Sequence, residues 1–212
     1  MTAHSEKLGG RLPLLDPLAL SAQQQDLYGR INATFGKWSH SIHFQSKTDD
    51  GRLIGPFNPI LYSPGISSSF LDLHDAEEKH TSLDERVRQV VILSVGSVWK
   101  SDYELYAHSA AARKAGISEN AIRTLAAGGL PDDLSEPEKV AQRYARQFSA
   151  EHHVDADLYT AAVHAFGEHG VVDLTYLIGI YHITCGLLNS FDIPAPEQAP
   201  KTEDPKGQER VS

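Results

Sequence analysis

VWKSDYELYAHSAAARKAG, running from Val98 to Gly116, reads as one helix closed by its own stop signal. Within it Glu104 and His108 stand four residues apart, so both side chains fall on one helical face within mutual reach. A carboxylate in that position orients an imidazole and raises its proton affinity. Trp99, Tyr103 and Tyr106 predict that the helix is partly buried, and Ala110, Ala111 and Ala112 let another helix approach closely. Gly116 suits the left-handed residue that ends a helix. On a solvated surface such a pair contributes only about 0.3 kcal/mol. Its meaning therefore turns on whether it faces a pocket or water.

Helical signals continue on both sides. Leu83 to Val98 carries Val87, Val90, Val91, Val95 and Val98 at three-to-four spacing, which favours a helix over a strand despite the branched side chains. Before it, Ser63-Pro64 opens a helix to about Lys79. The polar stretch from Ser39 to Pro59 is expected as a long loop, and Ser21 as the cap of a helix ending near Phe35. After Gly116, Ser118 caps a short helix to about Ala127, and Ser135 with Glu138 forms a capping box for a helix over 136–150. Asp155 to Phe166 forms another helix, broken at Gly167 or Gly170. Gly170 to Ser190 is apolar nearly all round, which places it at the centre of the domain. No stretch alternates like a strand. The class is all-α: an irregular N-terminus over 1–17, one helical domain over 18–193, and a disordered tail over 194–212.

Composition narrows the function. The formal net charge of −9 argues against nucleic acid, because phosphate binding needs clustered lysine and arginine. Cys185 is the single cysteine, which rules out a disulfide within the chain and any Cys-x-x-Cys redox or zinc motif. This suits a reducing, cytoplasmic setting. No basic segment followed by an apolar run marks a signal peptide. Val171 to Phe191 is interrupted by Asp173, His182 and Asn189 and reads as a soluble core helix, not a membrane span. There is no phosphate-binding glycine loop, no Gly-x-Ser-x-Gly and no His-Glu-x-x-His. Glu77 and His80 give a single Glu-x-x-His, short of a di-iron set, and His40, His43, His152 and His153 read as surface residues. No metal and no cofactor are expected.

His182 interrupts an otherwise apolar helix, where a histidine is ordinarily satisfied by a backbone or hydroxyl group. If it shares a cleft with His108, both become functional candidates. At this point RVRQVVIL (86–93), Asp102-Tyr103-Glu104, His108 and AARKAGIS (111–118) resemble the carboxymuconolactone decarboxylase family, within the wider alkylhydroperoxidase D-like superfamily. GPFNPILYSP (55–64) and GIYHITCGLLN (179–189) are similar to a decarboxylase-like branch of it.

The resemblance implies an all-helical, homo-oligomeric protein (dimer, trimer or hexamer) with sites near subunit contacts. Peroxidase-type members carry a Cys-x-x-Cys, and Ser101 and Glu104 occupy those two positions here. Without thiols no thiol relay operates, so peroxidase activity is disfavoured. The family's frequent glutamate in the preceding helix falls at Gln89. The resemblance then implies a cofactor-independent carbon–carbon lyase, or a related isomerase or cyclase, acting on a small carboxylated lactone or enone. His108 would be its acid or base, Glu104 would hold the ring, and His182 or Arg86 would hold the substrate carboxylate. Gln89, Tyr103, Tyr181 and Asn189 would complete the polar wall. The alternative is a catalytically silent binding or assembly protein of the same fold.

Overall fold

The computed structural model describes residues 7–196. Helix α1 (Ala22–Ile31) starts at Ser21, whose hydroxyl accepts from Gln24 while the Gln24 side chain accepts from the Ser21 N–H. One π-helical turn over Asn32–Gly36 leads directly into α2 (Lys37–Ile42). The expected loop from Ser39 therefore begins later, at His43, whose positive φ of 61° ends α2. A single antiparallel bridge between Lys47 and Leu53 shapes the loop before the short α3 (Phe57–Tyr62). Helix α4 (Pro64–His80) opens with proline in its first turn, but the Ser63 side chain forms no cap.

Helix α5 (Glu85–Trp99) is capped by Asp84 and buries every residue from Val87 to Gly96. Packed against α6 (Asp102–Lys114), α7 (Glu119–Ala126), α8 (Glu136–Glu151) and α9 (Ala156–Ser190), it is the axis of the bundle. The segment from Val98 to Gly116 is thus two elements, not one helix. Lys100 adopts φ 53°, and Ser101 begins α6 anew. The caps at Ser118 and Ser135, the latter with its reciprocal Glu138 bond, stand as expected.

Helix α9 changes direction at Gly167, whose φ of 69° and ψ of 170° are open to glycine at little cost. Beyond that break Leu174, Leu177, Ile178, Tyr181 and Cys185 enter the core. Its other side leaves Val172, Tyr176 and Ile183 about half exposed, so its apolar surface is enclosed on one side only. By length and hydropathy α9 could cross a membrane, yet half of its most apolar window is buried inside this fold. Of the expected tail, 197–212 lies outside the described residues, as do 1–6 of the irregular N-terminus; within that N-terminus, Pro17–Ala19 forms one 3-10 turn.

Two further features set up the site. Residues next to the N-terminus are tied to the end of α9: the Arg11 N–H donates to the Phe191 carbonyl at 2.7 Å, and its guanidinium pairs with Asp192 at 2.6 Å. Leu8 and Leu14 then pack with Tyr103, Leu188 and Ile193 behind α6. Gly55, at φ 64°, lies directly against the Tyr103 ring, and a Cβ there would sit 2.2 Å from a ring carbon. Gly55→Ala is accordingly expected to cost about 2–3 kcal/mol in a denaturant titration, combining left-handed strain with a steric clash.

Candidate active site

A cavity of about 330 Å³ opens among α2, α3, α4, α5, α6 and α9. Its apolar walls include the rings of Phe35, Trp38, Phe44, Phe57 and Phe70. At its inner end Glu104 and His108 come together from α6 with Gln89 from α5 and Tyr181 from α9. Glu104 and His108 are 3% and 6% exposed, so the surface-pair reading fails.

The hydrogen-bond pattern fixes the protonation of the ring. The Glu85 carboxylate accepts at 2.8 Å from the Gln89 side-chain N–H. Gln89 therefore turns its Oε1 toward His108 Nδ1, 2.8 Å away. An amide oxygen can only accept, so Nδ1 carries the hydrogen and Nε2 carries the lone pair. Glu104 Oε1 lies 3.1 Å from that Nε2, and the Tyr181 hydroxyl lies 3.3 Å from it. A carboxyl oxygen so close to a ring lone pair requires one proton between them. Though buried, that oxygen has no hydrogen-bond partner in the structure.

Burial decides which partner owns the proton. It raises Glu104 from its ordinary range to about 8. It lowers His108 to about 3, helped by the positive field of His74 and Arg88. The proton accordingly rests on Glu104, and the ring is neutral. This corrects the expectation that the carboxylate raises the imidazole's proton affinity: with both groups out of water, desolvation outweighs their attraction. It also moves the task of fixing the tautomer from Glu104 to Gln89.

The remaining expected residues separate. Tyr103 lines the cavity, but its hydroxyl is committed to the Gln45 carbonyl at 2.7 Å. His182 does not line the cleft of His108. Its Nε2 is 2.8 Å from the Ser149 hydroxyl, between the rings of Trp99 and Phe148. Arg86 points away as well, pairing with Glu138 at 2.7 Å and donating to the Gly116 carbonyl at 2.6 Å. Asn189 donates to the Trp99 carbonyl and so finishes α5 rather than walling the cavity. Cys185 is buried, and burial pushes its thiol further above the ordinary range.

Two residues escaped the sequence reading. Arg88 lines the cavity and forms a buried ion pair with Glu77. His74 also lines it, lowered to about 4 by burial and by Arg88. His74 and Glu77 follow a three-residue spacing on α4 and Arg88 follows Glu85 likewise on α5, but nothing in that spacing shows that the two faces meet. Among the described residues, no group of three or more His, Cys, Asp or Glu side chains is placed to hold a metal ion.

Comparison with known proteins agrees with this architecture. Residues 64–147 match the model of the Carboxymuconolactone decarboxylase family. No curated protein matches the chain in sequence. Among solved structures, an uncharacterized peroxidase-related protein with an alkylhydroperoxidase AhpD core from Ralstonia eutropha JMP134 superposes with a TM-score of 0.69 at 16% identity, covering 88% of this chain and 92% of its own. A peroxidase-related protein from Silicibacter sp. TM1040 gives 0.69 at 15% identity, covering 92% and 95%. The debrominase Bmp8, as a cysteine-to-alanine variant bound to 2,3,4-tribromopyrrole, gives 0.65 at 15% identity, covering 88% and 93%. Residues 64–147 are thus similar to the Carboxymuconolactone decarboxylase family, and the all-helical fold of the chain is the one found in these AhpD-core structures.

Proposed function

We propose that this protein is a thiol-independent proton-transfer enzyme. One observation carries the reading: the buried Glu104 carboxyl, with Oε1 3.1 Å from the lone-pair side of His108, at the inner end of an apolar-walled cavity. As negative charge develops on a substrate carbon, the Glu104 carboxyl delivers its proton to that carbon. The resulting carboxylate then takes a proton back from the next acidic C–H, so Glu104 serves in turn as acid and base. A group with an affinity near neutral pH suits both directions, and Glu104 is the one raised to about 8. His108 Nε2 steers that proton, while Gln89 and Glu85 keep the ring in the tautomer that can accept it. Tyr181 offers a hydroxyl to a developing oxyanion.

Decarboxylation of a carboxylated lactone or enone would use the same proton, delivered where carbon dioxide leaves. It asks in addition for a cation to hold the carboxylate. Arg86 lies outside the cavity, and Arg88 is already paired. Proton transfer is therefore the step that the geometry supports best, with lyase and isomerase reactions as its two outlets. The test is solvent exchange. Cyclic enones and lactones, with and without a carboxyl group, are incubated with the protein in deuterium oxide and followed by proton nuclear magnetic resonance. At least one should exchange a C–H adjacent to its carbonyl, and Glu104→Gln should stop it. Absence of exchange across the panel overturns the reading in favour of a silent binding protein.

A further inference from the structure

The charges around the cavity conflict with an anionic substrate. Among the described residues Arg88 is its one lining lysine or arginine, and it is 7% exposed. Its guanidinium is bound to Glu77, itself 8% exposed, with Glu85 3.7 Å from its Nε. Turning Arg88 toward an incoming carboxylate would strand Glu77 as a buried unpaired charge, which costs several kcal/mol. Three further acids line the same cavity: Glu78, Glu85 and Asp75, the last paired with Arg30 at 2.7 Å. A carboxylate of any shape meets this negative field with no free cation to receive it.

An uncharged ring meets the opposite conditions. The walls offer Phe35, Trp38, Phe44, Phe57 and Phe70, against which a flat apolar molecule buries its faces. The polar end presents an acceptor: Glu104 Oε1, a buried carboxyl oxygen of the cavity wall that has no hydrogen-bond partner. A cavity of about 330 Å³ lies at the small end of the range for ligand sites, enough for one or two rings.

We propose that this cavity selects an uncharged aromatic molecule bearing an O–H or N–H donor, bound through that donor to Glu104 Oε1, and discriminates against carboxylates of equal size. The proposal rests on the site described under proton transfer but concerns what enters it, not what happens there.

The chain's two tryptophans make the test direct. Trp38 lies 5.5 Å from the His108 ring, centroid to centroid, whereas Trp99 packs at a tilt against His182. In a Trp99→Phe background Trp38 alone reports on the cavity. Fluorescence titration at pH 7 compares 4-chlorophenol, 4-chloroanisole and 4-chlorobenzoate. The phenol should bind at least about tenfold more tightly than either relative, roughly the value of one buried hydrogen bond or one unmatched charge. Glu104→Leu should erase the advantage of phenol over anisole, and Glu78→Lys at the rim should narrow the gap between phenol and benzoate. Benzoate or anisole binding as tightly as phenol overturns the proposal, and so does binding of none of the three. Selective phenol binding by a protein that exchanges no C–H would sink the proton-transfer reading and leave this one standing. Exchange confined to carboxylated substrates and dependent on Glu104 would do the reverse.

Discussion

Turnover in the His108→Phe variant should fall by about 10²–10⁴-fold, the usual loss when a positioned acid–base pair is broken. Phenylalanine keeps the ring that stands edge-on to Tyr181 at 5.1 Å and near Trp38 at 5.5 Å, so the packing survives. What disappears is the lone pair that holds the Glu104 proton in line and the N–H that satisfies Gln89. The loss should appear in kcat more than in KM, because the interaction strengthens as the proton moves. His182→Phe is the matched control. Its ring lies against Trp99 and Phe148, outside the cavity, and its replacement should leave turnover unchanged. A His182 variant as inactive as the His108 variant would mean that the reacting centre lies elsewhere in the fold.

The second large effect is on stability, and its sign follows from the titration of Glu104. In the unfolded chain this carboxyl ionises near 4.5, and in the folded protein near 8. Between those values the native state holds a proton that the unfolded state has released. Stability conferred by that proton is complete below 4.5 and drains away as pH rises through about 8. Each unit inside the window is worth about 1.4 kcal/mol, so raising the pH from 5 to 8 removes roughly 4 kcal/mol. For a protein of this size that is on the order of 10 °C in Tm. Glu104→Gln, which cannot ionise, should lack this alkaline slope, and the two melting curves should diverge steadily as pH increases. His108 works in the other direction. Lowered to about 3, it favours folding above its ordinary value and withdraws that support as acid approaches 3. Parallel melting curves for wild type and Glu104→Gln from pH 5 to 8 would mean that Glu104 is already ionised in the folded state.

Local chemistry was the legible part of this chain. The Ser135–Glu138 capping box, the Ser118 cap and the Glu104/His108 spacing each depend on residues within one or two turns, and each stands in the structure. Two boundaries were hidden because non-glycine residues take left-handed conformations: His43 at the end of α2 and Lys100 between α5 and α6. The site divides along the same line. Glu104 and His108 share a helix, so their proximity was readable. Gln89 and Tyr181 reach them from two other helices, and only packing shows that their polar atoms converge.

The choice of cation shows the limit most sharply. Arg86 and Arg88 are two residues apart on α5, which on a helix turns them to different sides. The sequence carries no mark of which side holds the cavity: Arg86 braces α8 through Glu138, and Arg88 faces inward. The direction of the proton affinities was hidden for a related reason. Neighbouring charges can be read along a helix, but the dielectric around them is set by everything folded over it.

The bond between Arg11 and the end of α9 links opening of the two edges of the domain. Leu188, one turn beyond the cavity's Thr184, shares a hydrophobic cluster with Leu8 and Leu14. Fraying at one edge must therefore expose the other, and amide hydrogens near residues 10 and 190 should exchange with solvent as one cooperative unit. Cutting that tether with Arg11→Ala would loosen the rear of α6 while leaving every cavity wall chemically intact.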